Sequence, residues 1–206
     1  CVGNIPRTLL SLPTWTYTKG QDEIHVNLFI GSTVTVDNLA GTSVQLVQTT
    51  DYPWSGKVAL TVNSGAPRKF ALKIRVPNRQ VSDLYTSTPK VDGLVSIAVN
   101  GKPMKPTIAN GYAVLDRTWK AGDKVEWEVP LSVQRVIGSD KIAAIKGRVA
   151  LRYGPLIYNL ESVDQSLDSV LSPTAPLATE WKPDLLGGVL VIQGSFADGK
   201  PLLAIP

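Results

Sequence analysis

From Gly20 onward the hydrophobic positions of this chain recur with a period of two, in short runs separated by turn residues. Ile24, Val26, Leu28 and Ile30 alternate with His25, Asn27 and Phe29, the pattern of a strand buried on one face. Residues 33–36 predict a second strand, closed by Asp37-Asn38 and Gly41, and strands at 44–49, 58–62 and 70–76 follow. In the last of these Phe70, Leu72, Ile74 and Val76 face one way, with Lys73 and Arg75 opposite. Residues 78–93 carry Asn, Ser, Thr, Pro, Asp and Gly and read as a long loop. Residues 96–99 run into Asn100-Gly101, a strong hairpin signal. Strands at 112–115 and 125–129 follow, the second with Val125, Trp127 and Val129 inward and Lys124, Glu126 and Glu128 outward. Beyond a boundary at 138–141, strands are predicted at 148–153, 156–160 and 189–192, while 162–188 shows little periodicity. Before Gly20 the pattern is helical but short. Asn4 caps, Pro6 suits the first turn, residues 7–12 give under two turns, and Pro13 stops them.

Many short strands with regular turn signals predict an all-β fold, a jelly-roll-like β-sandwich followed by a second β-sandwich unit expected to be incomplete. The division expected is a helical remnant and linker at 1–20, a first sandwich at 21–137 and a second β unit at 138–206. The apolar run Leu202-Leu203-Ala204-Ile205-Pro206 reads as an edge cut across a domain.

Composition narrows the functional classes. With 43% hydrophobic residues the chain can bury a core, yet no window reaches 18 consecutive apolar residues, so no transmembrane helix is expected. The net charge of +4 comes from basic residues spread along the chain, without the clustered stripe that nucleic-acid binding requires. There is one cysteine and one histidine, so no internal disulfide and no self-contained Cys/His zinc site can form.

The remaining chemistry candidates are few. His25 is the only residue that could serve a Ser-His-Asp arrangement with Ser32 or Asp22, but it lies on the polar face of a predicted strand. Glu126 and Glu128 stand on one strand face, about 7 Å apart at Cα, a separation at which carboxylates can hydrolyse glycosides. The alternating Lys-x-Glu-x-Glu run also describes a solvated sheet face, and no catalytic residue is assigned. Glu161 and Asp164 follow a strand end without a more specific pattern. Trp54 and Trp181 sit beside prolines in predicted loops and are the candidate sugar-stacking platforms, set against ordinary packing of large aromatic rings.

Taken together, several segments resemble one family. Cys1-Val2-Gly3-Asn4-Ile5-Pro6-Arg7, Tyr17 and Val26-Asn27-Leu28-Phe29-Ile30 come first, then Gln48-Thr49-Thr50-Asp51-Tyr52-Pro53-Trp54. Leu72-Lys73-Ile74-Arg75-Val76-Pro77, Val99-Asn100-Gly101, Gly111-Tyr112, Trp119-x-x-Gly122-Asp123 and Gly154-Pro155-Leu156-Ile157-Tyr158-x-x-Glu161 follow in order. The set resembles the β-L-arabinofuranosidase-like glycoside hydrolases, family 127 and its relative 146, from residue 1 to about residue 164.

The resemblance implies a longer protein, with a helical (α/α)₆ barrel ahead of β-sandwich domains and the catalytic apparatus in the barrel. There a Glu acid/base works with a zinc held by cysteines and a glutamate. One zinc-bound cysteine would be the nucleophile of a retaining mechanism, its thiolate kept deprotonated by the metal. Cys1 matches the second of two adjacent family cysteines and would be a zinc ligand only in the full-length parent. Where the family tends to carry a Trp, this chain has Asn78-Arg79-Gln80.

The resemblance therefore implies a non-catalytic C-terminal β-sandwich region with a structural, barrel-supporting role. The parent enzyme would act on β-L-arabinofuranosyl or related plant-glycan linkages. The alternative is a carbohydrate-binding module using Trp54 and Trp181. The expected partners are the parent's own N-terminal barrel, a plant-glycan oligosaccharide and a second copy in a homodimer, with no nucleic acid and no membrane. The chain itself is expected to hold no cofactor, and the parent to be periplasmic or extracellular.

Overall fold

The computed structural model describes residues 2–78 and 82–206. The fold is all-β, as the alternation predicts, with one α-helix and one short 3-10 turn, Ala143–Ile145, among the described residues. The Cys1 zinc-ligand expectation, and Arg79 and Gln80 of the aromatic comparison, lie outside the described residues.

The chain starts with α1 (Asn4–Thr16), which leads directly into β1 (Tyr17–Lys19). The helix is longer than its sequence predicts. Gly3 rather than Asn4 occupies the cap position, and Pro13 lies inside the helix instead of ending it. Pro13 removes one backbone bond, but hydroxyls bond back to carbonyls around it. Ser11 donates to Arg7, Thr14 to Ser11, and Thr16 to Leu12.

The first unit comprises Cys1–Asn78 and Asp92–Pro130. Its strands after β1 are β2 (Glu23–Val26), β3 (Ser32–Leu39), β4 (Thr42–Thr50), β5 (Lys57–Ser64) and β6 (Arg68–Arg75). The unit resumes after β7 (Tyr85–Thr88), which belongs to the second unit. It continues with β8 (Ser96–Val99), β9 (Lys102–Pro103), β10 (Thr107–Ala109), β11 (Tyr112–Trp119) and β12 (Asp123–Glu128). They form a five-stranded sheet ordered β1-β2-β6-β11-β10 and a six-stranded sheet ordered β3-β4-β5-β12-β8-β9. The pairing is antiparallel except between β2 and β6.

Alternate side chains fill the sandwich. Phe70, Leu72 and Ile74 line one sheet, and Leu60, Val125 and Trp127 line the other. The fully buried Trp119 donates its indole N–H to the Phe70 carbonyl at 3.0 Å, so its one polar atom is satisfied in the core. Asn100-Gly101 turns β8 into β9 with both residues at positive φ, as does Asn110-Gly111 between β10 and β11.

One predicted strand is cut short. The alternation from Ile24 to Ile30 is strand only as far as Val26. The Asn27 and Leu28 amides turn back to donate to the Thr16 carbonyl at 2.9 and 3.4 Å. The phase then shifts by one residue, so Phe29 is buried and Ile30 exposed, the reverse of the predicted order. A buried polar knot fixes this bend. Gln48 is 2% exposed, and its amide hydrogens are shared among Tyr17 Oη at 2.9 Å, the Ile30 carbonyl at 2.9 Å and the Leu28 carbonyl at 3.2 Å. The Ser32 hydroxyl donates to the Ile30 carbonyl, which leaves Tyr17 to donate to Ser32 at 2.9 Å. Burial pushes the Tyr17 phenol up, against the hydrogen bonds with Ser32 and Gln48, so it stays protonated at neutral pH.

The second unit comprises Arg79–Val91 and Leu131–Pro206. The division thus falls between Pro130 and Leu131, not at 137/138, and the predicted loop at 78–93 contains β7. This strand pairs with β13 (Val133–Gly138), which also pairs with β14 (Ala150–Tyr153). With β15 (Leu156–Tyr158) they make a four-stranded sheet ordered β15-β14-β13-β7. Three buried polar groups bind its strands together. Arg152 donates to Gln134 Oε1 and to Ser87 Oγ, both at 3.0 Å, and Gln134 donates to the Pro89 carbonyl. A three-stranded sheet follows, of β16 (Leu177–Lys182), β17 (Val189–Ser195) and β18 (Pro201–Ala204). Leu151, Tyr158, Ile192, Phe196 and Leu202 form the core of this unit. Burial pushes the Tyr158 phenol up to about 12, and its hydroxyl donates to the Leu190 carbonyl at 2.7 Å.

The Gln48 knot gives a direct expectation. Gln48→Leu strands buried acceptors and destabilises the first unit by about 2 kcal/mol, while Tyr17→Phe, which removes one hydroxyl, costs about 1 kcal/mol. Urea unfolding followed by Trp fluorescence measures both. A Gln48→Leu protein as stable as the unsubstituted chain contradicts this role.

Candidate functional site

Two of the segments that carry the family resemblance, 26–30 and 48–54, meet in the first unit. The chain leaves β4 at Gln48-Thr49-Thr50 and turns at Asp51, whose carbonyl accepts the Trp54 and Ser55 amides at 2.8 and 3.2 Å. The Tyr52 ring meets Phe29 edge-on at 5.6 Å, and Phe29 meets Trp127 at 5.4 Å. Gly56 closes this turn against the crossing backbone, since a side chain there would stand 2.0 Å from the Val129 carbonyl oxygen.

Helix α1 leaves the unit beside these segments. Ile5, Leu9, Leu12 and Thr16 fall on one helical stripe by their spacing of four, three and four. Thr16 is buried and Leu12 half-buried, but Leu9 is 60% and Ile5 66% exposed. Leu10, at 81%, and Trp15 add to the uncovered apolar surface, as does Ile30 on the adjoining segment. The stripe begins inside this unit and runs out of it uncovered.

The polar candidates lie elsewhere. His25 faces outward on β2, half-buried, with its ring edge-on to Tyr112 at 4.9 Å and Nε2 3.7 Å from Glu23. The Lys73 ammonium donates to Glu23 and holds that carboxyl below the usual carboxylate range. Tyr112 donates to Asn27 at 2.8 Å. Ser32 is not a partner of His25, because its hydroxyl serves Tyr17 and Ile30. The structure therefore assembles a surface polar network and no nucleophile-base pair at His25.

Glu126 and Glu128 point outward from β12, into an open groove of about 420 Å³ on the six-stranded sheet. Glu126 is flanked across the sheet by Ala59 and Ala98 and bridged to Lys124 at 2.7 Å. Lys57 lies opposite Glu128 in the register. This is the solvated face that the alternating charges describe. Glu161 begins an exposed turn in which its carbonyl accepts the Asp164 amide.

Trp54 is half-buried in the turn after β4. Trp181 is not in a loop as predicted. It lies in β16, 47% exposed, with its ring against Gly188, where a side chain would meet it at 2.8 Å. Among the described residues no three His, Cys, Asp or Glu side chains converge as a metal site. What the sequence reading missed is the uncovered stripe of α1. Its i, i+4, i+7, i+11 spacing is present in the sequence, but a proline at position 13 predicts an end to the helix before the stripe is complete.

Comparison with known proteins adds a family. The sequence model described as Beta-L-arabinofuranosidase, GH127 middle domain, matches residues 23–131, and that of the Glycoside hydrolase family 127 C-terminal domain matches residues 133–205. The chain is 29% identical over 204 residues to the non-reducing end β-L-arabinofuranosidase of Bifidobacterium longum subsp. longum. That match covers 92% of this chain and 28% of the relative. It is similar to the crystal structure of a family 127 β-L-arabinofuranosidase from Geobacillus stearothermophilus T6, with a TM-score of 0.84 and 30% identity, covering 98% of this chain and 34% of that one. A solved family 127 β-arabinofuranosidase gives a TM-score of 0.85 at 27% identity, with the same two coverages. The chain thus spans about a third or less of the relatives it matches. The break between the two matched domains, after residue 131, lies beside the division between the two units at Pro130 and Leu131, although the middle-domain match also takes in 79–91 of the second unit. With more than half its length in the middle domain and most of the rest in the C-terminal domain, this chain belongs to glycoside hydrolase family 127.

Proposed function

We propose that this chain is the non-catalytic β-sandwich region of a retaining glycoside hydrolase acting on β-L-arabinofuranosyl or related plant-glycan linkages. Its role is structural, to support an N-terminal helical catalytic barrel. The observation that carries the reading is the uncovered apolar stripe of α1. A helix that buries Thr16 and half-buries Leu12 in its own unit but leaves Leu9, Leu10 and Ile5 in water exposes apolar surface of the kind a protein interface covers. The coverage of the relatives supports the same reading, since about two thirds or more of each lies beyond what this chain matches. The β-L-arabinofuranosidase activity named for those relatives is the activity proposed for the longer protein.

Two outcomes follow. The 206-residue chain alone releases no arabinose from 4-nitrophenyl β-L-arabinofuranoside. Turnover above background that disappears in Cys1→Ser contradicts the non-catalytic assignment. Replacing Leu9 and Leu10 with Glu lowers binding of an apolar dye and self-association of the chain, and shifts its melting temperature by no more than about 2 °C. A melting temperature that falls as it would for a core substitution shows that these leucines are packed within the chain and removes the main support for a docking helix.

A further inference from the structure

We propose that Arg135 is the cationic centre of a binding site in the second unit for a small hydroxylated monocarboxylate of the uronic acid class.

Arg135 is placed against the ordinary logic of its strand. In β13 it sits opposite Leu151 and Thr88, and Leu151 belongs to the core of this unit. A cation on the core-facing side of a strand requires partners for its donors. Arg152, on the neighbouring strand, has them in Gln134 and Ser87. Among the described residues, Arg135 donates only to the Ala175 carbonyl, through Nη2. Its Nε is shut off from solvent and has no hydrogen-bond partner among the described residues. No carboxylate forms an ion pair with it among the described residues, although other basic side chains of the chain do pair. Arg135 therefore keeps donor capacity that no protein group takes up among the described residues.

The surroundings select the ligand. Arg135 lines a cavity of about 460 Å³ with Ser132, Tyr153 and Thr179 among its other walls, and no acidic side chain lines it. That volume holds a monosaccharide. The hydroxyls of Tyr153 and Thr179 bond to no protein group among the described residues, so both are open to a ligand. Burial raises the Tyr153 phenol, which keeps its O–H available as a donor. With Nε closed off from solvent, the guanidinium meets a carboxylate through the Nη N–H groups that Ala175 does not take, in charge-assisted hydrogen bonds. One positive charge balances one negative charge, so a monocarboxylate suits the site better than a phosphate dianion. The hydroxyl lining suits a ligand that carries hydroxyls of its own. The inference is independent of the glycan reading of the whole protein, because it rests on the second unit's own side chains.

The test is a titration of the full 206-residue chain with D-galacturonate, followed through arginine Nε–H resonances in ¹H–¹⁵N spectra. Arg135→Lys identifies the Arg135 resonance by its loss. The expected result is a saturable downfield shift of that resonance at millimolar galacturonate. L-arabinose leaves the resonance in place, and acetate and inorganic phosphate bind about tenfold more weakly. Thr179→Val weakens galacturonate binding several-fold without changing the melting temperature, which keeps the test decisive even if Arg135→Lys disturbs the fold. A resonance that does not move, or acetate binding as tightly as galacturonate, overturns the proposal.

Discussion

The side-chain amide of Gln48 sets the geometry on which the functional account depends. It is buried where β4 passes the bend after β2, and its two hydrogens serve a phenol and two backbone carbonyls. Those carbonyls belong to the segment where the strand pattern breaks, and an unpaired carbonyl in a dry interior is costly. The amide orientation is dictated by its neighbours, since the reverse orientation would set its oxygen against Leu28 and Ile30 oxygens. Tyr17, held through the same amide, is the first residue after α1. The direction in which the helix leaves the sandwich thus follows from one buried polar side chain. The uncovered stripe on the helix is presented by that constraint rather than by packing of the helix itself.

The second unit relies on the same device in another form. Its sheet recruits β7 from the 79–91 excursion, and the strands are tied by Arg152, Gln134 and Ser87. The cross-strand bonds satisfy every named side chain in that network, so burial of the polar groups costs little once they are paired. Arg135 lies one residue along from Gln134, with its side chain on the other face of the strand, and lacks that completeness. The contrast between the two arginines separates a structural cation from one with binding capacity to spare.

Much of the fold is legible in the sequence because one-sided burial imposes a period of two. The strands holding Phe70, Leu72 and Ile74, or Val125 and Trp127, need no other information. The turn at Asn100-Gly101 is legible because positive φ at two successive positions favours that pair. What was hidden has a physical cause in each case. β13 buries Gln134, so polarity no longer reports which side is inside. β7 is short and rich in hydroxyl residues, and its pairing partner lies some 50 residues away by the register with β13. The strand after β2 ends early because backbone amides find the Thr16 carbonyl, a contact that no local pattern encodes. The family segments around Gln48 and Tyr52 were legible as a motif, but their joint role in setting the exit of α1 required the fold.

The most direct test of the docking account is hydrogen exchange across Asn4–Thr16, compared between this chain alone and the same chain continuous with the family's N-terminal catalytic region. If a catalytic region covers the helix, amides of α1 become markedly more protected in the longer protein, while those of β4, β5 and β12 exchange alike in both. Equal exchange of α1 in the two proteins would mean that nothing covers the helix, and would contradict its role as the docking surface of a larger enzyme.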